Sequence, residues 1–147
     1  MRPLHALLVI ALVVPIVWAA PSENDAVEIE HLLRHLAISD CTFDRNGKRY
    51  SGLQAADHLR GKYHYLLKKD LVTTAESFIE LAASRSSVSG KSYLVRCGSA
   101  KPVESGAWFR VELERYRDMK RLTADKSFQP TPSSLLRSLA VAAELHR

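Results

Sequence analysis

The fold is decided by residues 73–97, TTAESFIELAASRSSVSGKSYLVRC, which predict a helix, a turn and a strand in succession. Thr73 and Glu76 match the S/T-x-x-E capping box, so the spacing predicts a helix start at this point. Apolar residues then recur at the i, i+3, i+4, i+7 spacing of one helix face. They are Ala75, Phe78, Ile79 and Ala82. The segment therefore predicts an amphipathic helix with a buried apolar face.

The second half of the same segment predicts a turn and then a strand. Serines follow Ala83, and their hydroxyls compete for backbone hydrogen bonds, which ends helices. Gly90 supplies the positive φ that closes such turns. Tyr93, Val95 and Cys97 then alternate with their neighbours at a period of two, which indicates a strand.

Outward from this segment, residues 41–50 predict a β-hairpin. The Asn46-Gly47 step between two short extended runs is the strongest short-range hairpin signal. A lone hairpin is only marginally stable in water, so we expect this one to pack on helices or to pair with the strand at residues 93–97. That pairing would bring Cys41 close to Cys97.

Cys41 and Cys97 are the only two cysteines, and we predict a disulfide between them. An even count of two leaves one intramolecular connectivity. Adjacent strands supply the Cα separation of less than about 7 Å that a disulfide needs.

Three further segments have helical periodicity. Ser22 is a candidate N-cap for a first helix, residues 53–69 predict a second, and Ser105 is a candidate N-cap for another that carries Trp108 and Phe109. The apolar stripe of the first helix is Val27 or Ile29, Leu32, Leu33 and Leu36, and that of the second is Leu53, Ala56, Leu59, Tyr63, Leu66 and Leu67. We therefore expect a single α+β domain of three or four helices packed with a small antiparallel β element.

The first 19 residues have the layout of a secretory signal peptide. Arg2 precedes an apolar run, Pro15 follows it, and small residues precede Ala20, where we place the cleavage. The apolar run is shorter than the roughly 20 residues that span a bilayer, so we expect no membrane span after cleavage. Export and paired cysteines together predict a periplasmic location.

The remaining chain divides into a compact domain at residues 20–122, a polar linker at 123–132 with two prolines, and a short C-terminal helix or mobile tail at 133–147. The formal net charge is +5, and removal of Arg2 with the leader leaves +4. Charges of both signs alternate without a dense basic patch, so we expect no nucleic-acid partner.

Polar residues on the predicted turns and on the second helix define a candidate binding face. They are Arg45, Asn46, His58, Arg60, Ser86, Ser87 and Lys91. We expect this face to bind an envelope protein, a peptide or an anionic ligand without catalysis and without a cofactor. Hydroxyls that merely cap the end of a helix are the plainest explanation of the serines.

Three groups of residues suggest more specific chemistry. Ser86 or Ser87 with His58 could form a small hydrolase, although no G-x-S-x-G elbow is present. RSSVSGKS, residues 85–92, matches the end of a phosphate-binding loop, but Arg85 replaces its first glycine and the helix precedes the loop instead of following it. His31 and His35 are four residues apart, and no third ligand at suitable spacing completes a metal site.

Four blocks of sequence resemble one known family. The blocks are Phe43, Arg45, Asn46 and Gly47; Ala55, His58, Leu59, Arg60 and Lys62; Thr74, Ala75, Glu76, Phe78 and Ile79; and Ser84, Ser86, Ser87, Gly90, Lys91, Tyr93 and Val95. In this order they resemble the YfeK-like family of small exported bacterial proteins, a domain of unknown function, over residues 26–116. The resemblance implies a bacterial periplasmic domain and supplies no activity, ligand or catalytic residue. Ser92 departs from the family pattern, where proline is common, and the chain beyond Asp118 has no counterpart in it.

Overall fold

The computed structural model describes residues 20–127. Its elements, in chain order, are α1 (Glu23–Ile38), β1 (Cys41–Arg45), β2 (Lys48–Ser51), α2 (Gly52–Leu67), α3 (Ala75–Phe78), a π-helix (Ile79–Ala83), β3 (Leu94–Cys97), β4 (Val103–Glu104) and α4 (Ser105–Ser127). The strands form one antiparallel sheet in the order β2-β1-β3-β4. The α+β prediction is confirmed.

The hairpin between β1 and β2 forms where the sequence predicts it. Asn46 and Gly47 both have positive φ, 54° and 79°, which matches the two-residue turn whose twist suits paired strands. The Asp44 carboxylate accepts a hydrogen bond from the Gly47 amide at 3.1 Å and fixes the turn.

Strand β1 also pairs with β3, so the predicted pairing of the hairpin with the later strand is confirmed. Cys41 lies opposite Cys97 in the register, with Cα atoms 4.1 Å apart, and the two form a disulfide. Phe43 lies opposite Val95, and both are buried on the sheet face that packs on the helices.

The core lies between that sheet face and the helices. Its largest fully buried side chains are Tyr93, Phe43, Phe78, Phe109, Ile29, Leu32, Leu33, Leu36, Leu59, Ile79, Leu113 and Val72. Each such side chain contributes about 1.5–3 kcal/mol by leaving water. The apolar face predicted around Phe78 and Ile79 is therefore the centre of the molecule.

One of the three predicted caps is confirmed, and two are wrong. Ser22 caps α1, and its hydroxyl accepts from the Asp25 amide at 3.1 Å. The predicted box of Thr73 and Glu76 is wrong by one residue, because Thr74 is the N-cap of α3 and pairs with Ser77. The Glu76 carboxylate binds Arg117 instead, a partner from a distant helix that the local pattern cannot reveal. Ser105, predicted to cap the last helix, is instead the first residue of α4, and its buried hydroxyl has no hydrogen-bond partner among the described residues.

The buried stripe predicted for α2 is partly wrong. Leu53 is 59% exposed, and Ala55, which the predicted stripe omits, is buried, whereas Ala56 and Leu59 are buried as predicted. The reason is the close approach of α2 to the end of α1, where a Cβ on Gly52 would lie 2.2 Å from the Leu36 carbonyl oxygen. Only small side chains fit between the two helices at this point.

The segment after Cys97 differs from the sequence expectation at both of its ends. Val103 and Glu104 form a fourth strand where we expected only a loop. Helix α4 continues through Ser127, so residues 123–127 of the predicted linker are helical. The predicted leader at residues 1–19, the rest of the linker and the C-terminal segment at 133–147 lie outside the described residues. Within residues 20–127, no helix combines the length and apolarity needed to cross a membrane.

Candidate functional site

An open cleft of about 370 Å³ lies where the hairpin turn, one face of α2 and the serine-rich turn meet. We call it the basic cleft. It is lined by Arg45, Asn46, His58, Lys62, Ser86, Ser87, Val88 and Tyr93.

Three nitrogen-bearing side chains converge on the basic cleft from two elements. His58 and Lys62 are four residues apart on α2 and so lie on the same helix face. Arg45 ends β1, and its Nη1 lies 3.0 Å from each ring nitrogen of His58. A guanidinium can only donate, so this contact requires a neutral imidazole.

The electrostatics of the cleft agree with that contact. Burial, together with the positive charges of Arg45 and Lys62, holds the pKa of His58 below its ordinary 6.5. Burial and the charge of Arg45 lower the pKa of Lys62 to about 8. Both shifts have the same physical cause, because water is partly excluded and the nearby charges are positive.

Lys62 is held in place by two contacts besides its helix. Its Nζ donates to the Arg85 carbonyl oxygen at 3.1 Å and lies 5.4 Å from the centre of the Tyr93 ring. Tyr93 is buried, and burial raises the pKa of its phenol, whose hydroxyl is hydrogen-bonded to Ser86.

The serine-rich turn, residues 86–90, lies at one edge of the cleft and is hydrogen-bonded to the hairpin turn. Ser89 donates to the Asn46 side-chain oxygen at 2.7 Å, and the Asn46 amide donates to the Ser86 hydroxyl at 3.5 Å. The π-helix ends just before this turn, with the Ser84 hydroxyl bound to the Ile79 carbonyl oxygen at 2.8 Å. π-helical turns occur often at functional sites.

Within the described part of the chain, no acidic side chain lines the basic cleft. Among residues 20–127, moreover, neither Arg45 nor Lys62 forms an ion pair, whereas Arg60, Arg85, Arg110, Arg115, Arg117 and Arg121 all do. The cationic groups of the cleft are therefore available to an external anion.

Five of the seven predicted site residues line this cleft, and two do not. Arg60 lies on another side of α2, where it pairs with Glu30 at 3.2 Å and Asp57 at 3.4 Å. Lys91 is exposed beyond the turn and does not line the cleft. A two-residue offset from His58 turns Arg60 to the opposite side of a helix, which explains its absence.

Three residues that line the cleft are absent from the predicted set: Lys62, Val88 and Tyr93. The i, i+4 spacing from His58 could have identified Lys62. No sequence signal could have identified Tyr93, because its ring belongs to the core and only its contacts with Ser86 and Lys62 bring it to the cleft.

The hydrolase arrangement is not assembled in this geometry. Among the described residues, no hydrogen bond joins His58 to Ser86 or Ser87, and the polar neighbour of the imidazole is Arg45 instead of a carboxylate. Ser86 is 5% exposed, and its hydroxyl accepts hydrogen bonds from the backbone amides of Val88 and Ser89.

The histidine pair on α1 acquires a carboxylate from α4. Glu112 lies 2.6 Å from His31 and 3.4 Å from His35, and it also binds Arg115. Although burial opposes the shift, hydrogen bonds from Arg115 and His31 lower the pKa of Glu112. In the part of the chain that the structure covers, no group of three or more His, Cys, Asp or Glu side chains is placed to hold a metal ion.

The fold and the site together define a small α+β domain that has a disulfide between two central strands and a cationic cleft at the hairpin end of the sheet. Comparison with known proteins identifies the family of this domain. The chain belongs to DUF5329, a family of unknown function, whose model matches residues 23–117.

The chain is also similar to a curated bacterial protein. It is 38% identical over 77 residues to the uncharacterized protein YfeK of Salmonella typhimurium strain LT2. The match covers 52% of this chain and 62% of that protein, so the chain spans less than two thirds of the length of this relative. The resemblance to YfeK-like proteins is thus confirmed, and no solved structure matches.

Proposed function

We propose that this protein is an exported binding module whose basic cleft recognises the anionic group of a periplasmic ligand or envelope partner. The observation that carries the proposal is the convergence of Arg45, His58 and Lys62 without a carboxylate among the residues that line the cleft. Like charges placed together cost free energy in the empty cleft, and a bound anion removes that cost. The arrangement is therefore more favourable occupied than empty.

The groups of the cleft suit an anion in three complementary ways. Arg45 offers a planar fork of donors that matches carboxylate or phosphate oxygens, and Lys62 adds a compact charge. Hydroxyl and amide groups of Ser87 and Asn46 supply neutral hydrogen bonds at the rim. Val88, which is 98% exposed, offers an apolar contact for the body of the ligand.

Export is supported by two independent features. Residues 1–19 have the layout of a cleavable leader. The bond between Cys41 and Cys97 is of a kind that persists in oxidising compartments such as the periplasm. Its ligand or partner would then be met in the bacterial envelope.

Binding without turnover is favoured over hydrolysis by the partner of His58. A general base for serine needs a neighbouring carboxylate to hold and stabilise the imidazolium. Burial lowers the pKa of His58, and Arg45, which stands where that carboxylate would be, lowers it further, so the imidazolium is disfavoured.

Calorimetric titration tests the proposal. The protein is exported from a bacterial host through its own leader and titrated with sulfate, with chloride at equal ionic strength as the reference. Sulfate should bind, and the double variant Arg45→Gln, Lys62→Met should lose at least tenfold in affinity, roughly what one lost charged contact costs.

Arg60→Gln is the matched control, because Arg60 carries the same charge on α2 but lies outside the cleft. Equal affinities of the double variant and the native protein would refute the proposal. Hydrolysis of a model ester that disappears in His58→Ala would establish the enzyme instead.

A further inference from the structure

Lys62 stands apart from the other lysines of the described chain. Of the lysines in residues 20–125, Lys62 alone is half-buried, and all the others are exposed. Its side chain lines the basic cleft, which is open to solvent. Burial of a charged lysine lowers the stability of the folded protein. A lysine that is kept half-buried in a cleft is therefore a candidate reactive group.

Burial and Arg45 give Lys62 a larger fraction of neutral, nucleophilic amine at pH 7 than an exposed lysine has, although most of the amine is still charged. The groups that face it are the Arg45 guanidinium from β1, the His58 imidazole one turn earlier on α2, the Tyr93 ring and the Arg85 carbonyl oxygen. Among these described neighbours none is a carboxylate that would hold the proton. Burial and a neighbouring cation are the two devices by which proteins activate a lysine amine, and here they lower the pKa of Lys62 to about 8.

We propose that Lys62 captures a small aldehyde that carries an anionic group, forming a reversible imine while Arg45 holds the anion. The selectivity for an anion rests on the proposed function of the cleft, whereas the imine itself rests on Lys62. The cleft, about 370 Å³ and open to solvent, has room for such a molecule.

The chemistry balances without any further reactant. The lone pair of the neutral Lys62 amine attacks the carbonyl carbon, and the carbonyl oxygen becomes a hydroxyl by taking one amine proton through solvent. The carbinolamine then loses that hydroxyl with the second amine proton as water, which leaves a carbon–nitrogen double bond. Addition of water reverses both steps and releases the aldehyde.

We expect the captured aldehyde to carry an anionic group because Arg45 lies in the same cleft. Its guanidinium is fixed at the His58 ring, 3.0 Å from both ring nitrogens, in the same cleft as the amine. An anion bound there holds the aldehyde near Lys62 and raises its effective concentration. A neutral aldehyde lacks this attachment to Arg45, so its preference for Lys62 rests on the neutral amine alone.

Reductive trapping tests the proposal. The exported protein is incubated at pH 7 with pyridoxal 5′-phosphate below one equivalent, or with glyoxylate, in the presence of sodium cyanoborohydride, and the modified lysine is identified by peptide mass mapping. Lys62 should be labelled on the order of tenfold faster than any exposed lysine, because a lysine of lowered pKa keeps more neutral amine at pH 7. Its labelling rate should be half-maximal near its pKa of about 8.

Three comparisons make the result specific. The faster labelling of Lys62 appears as a fast phase in the time course. Lys62→Arg should abolish this fast phase, whereas Lys68→Arg, which removes an exposed lysine at the end of α2, should leave it unchanged. Arg45→Gln, which keeps the amine, should slow it several-fold. Pyridoxal without its phosphate should label Lys62 several-fold more slowly than pyridoxal 5′-phosphate does, because it lacks the anion that Arg45 holds.

Labelling spread over the exposed lysines, or a fast phase that survives in Lys62→Arg, overturns the proposal, and so does equal labelling by pyridoxal. Sulfate binding without trapping refutes the imine and leaves the anion site standing. Fast labelling of Lys62 by pyridoxal and its phosphate alike, with no sulfate binding, refutes the anion site together with the proposed selectivity.

Discussion

Lys62 costs the free protein stability, because its charged amine is half-buried without a carboxylate partner among the described residues. Its pKa of about 8 in the folded protein lies below the ordinary 10.5. The unfolded chain therefore binds more protons between these two values, and stability rises with pH across that window. Below it, the full cost of burying the charge is present.

We expect Lys62→Met to raise the melting temperature at pH 7, because methionine fills the same space without a charge. The gain should shrink as the pH approaches 10.5, where the native lysine is neutral as well. Thermal melts at pH 7 and pH 10 measure both values, with Lys68→Met as the exposed control. A variant that melts below the native protein at pH 7 would contradict this reasoning.

Anion affinity should depend on pH through the same residue. A bound anion raises the pKa values of Lys62 and His58, so binding takes up protons and grows tighter as the pH falls through about 8. The anion affinity should rise a second time below pH 6.5, where His58 gains its proton. Sulfate titrations in two buffers of different ionisation enthalpy measure the proton uptake. In Lys62→Met the first step should disappear, and a pH-independent affinity of the native protein would rule the linkage out.

Among the secondary-structure elements, β1 and β3 are joined by the disulfide at the end of β1 opposite the hairpin turn. The bond between Cys41 and Cys97 closes a sequence separation of 56 residues. Closing a loop of this size stabilises the folded state by about 4 kcal/mol in the chain-entropy treatment. The basic cleft lies at the other end of β1, where Arg45 stands.

Reduction should therefore lower the melting temperature markedly while the sulfate affinity of the protein that stays folded is retained. Thermal melts with and without reductant, followed by a titration at a temperature below both transitions, separate the two effects. The double variant Cys41→Ser, Cys97→Ser should melt with the reduced protein. An unchanged melting temperature after reduction would show that the bond contributes no stability.

Helix α4 is fastened to α1 and α3 by Arg117. Its guanidinium lies 2.6 Å from Glu28, which is 2% exposed, and 2.6 Å from Glu76. The hydrogen bond from Arg117 is the main reason why the pKa of Glu76 lies below its ordinary value. The bonds to Glu28 and Glu76 likewise raise the pKa of Arg117.

Arg117→Met should destabilise the fold by about 3–5 kcal/mol, because it leaves the buried Glu28 carboxylate without its cationic partner and with only the hydrogen bond from Asn24. Arg121→Met is the matched control, since Arg121 pairs with Asp118 on the exposed side of the same helix and should change stability by less than about 1 kcal/mol. Denaturant unfolding measures both changes. Similar losses in the two variants would show that burial of Glu28 is not what matters.

In the molecule as a whole, the basic cleft exists only when the fold is complete. Arg45 comes from the hairpin, His58 and Lys62 come from α2, and residues 86–93 come from the turn after the π-helix. None of these segments holds the cleft alone, so a ligand of the cleft binds the folded state and not the unfolded chain.

Sulfate should accordingly raise the melting temperature in proportion to its affinity. At 100 times the dissociation constant the gain is about 2.7 kcal/mol of unfolding free energy. The double variant Arg45→Gln, Lys62→Met should show only the general effect of the salt. If sulfate stabilises that variant as much as the native protein, the stabilisation arises outside the cleft.

The sequence alone predicts the hairpin, the disulfide and the buried face around Phe78, because each follows from local rules. Asn46-Gly47 determines its own turn, two cysteines leave one pairing, and the helical spacing of apolar residues identifies the inner face. Five residues of the cleft could be predicted as candidates for a related reason, since they are polar and lie on the predicted turns or on the second helix outside its apolar stripe.

Only the tertiary structure decided which charges meet. Arg60 and Lys62 are both basic residues of α2, yet the first pairs with Glu30 of α1 while the second lies in the cleft beside Arg45. Arg117 lies in a run of charges of alternating sign. It binds the buried Glu28, from which it is separated by 89 positions in the sequence. Charge interactions depend on distance in space and on exclusion of water, and neither quantity is encoded in a local stretch of sequence.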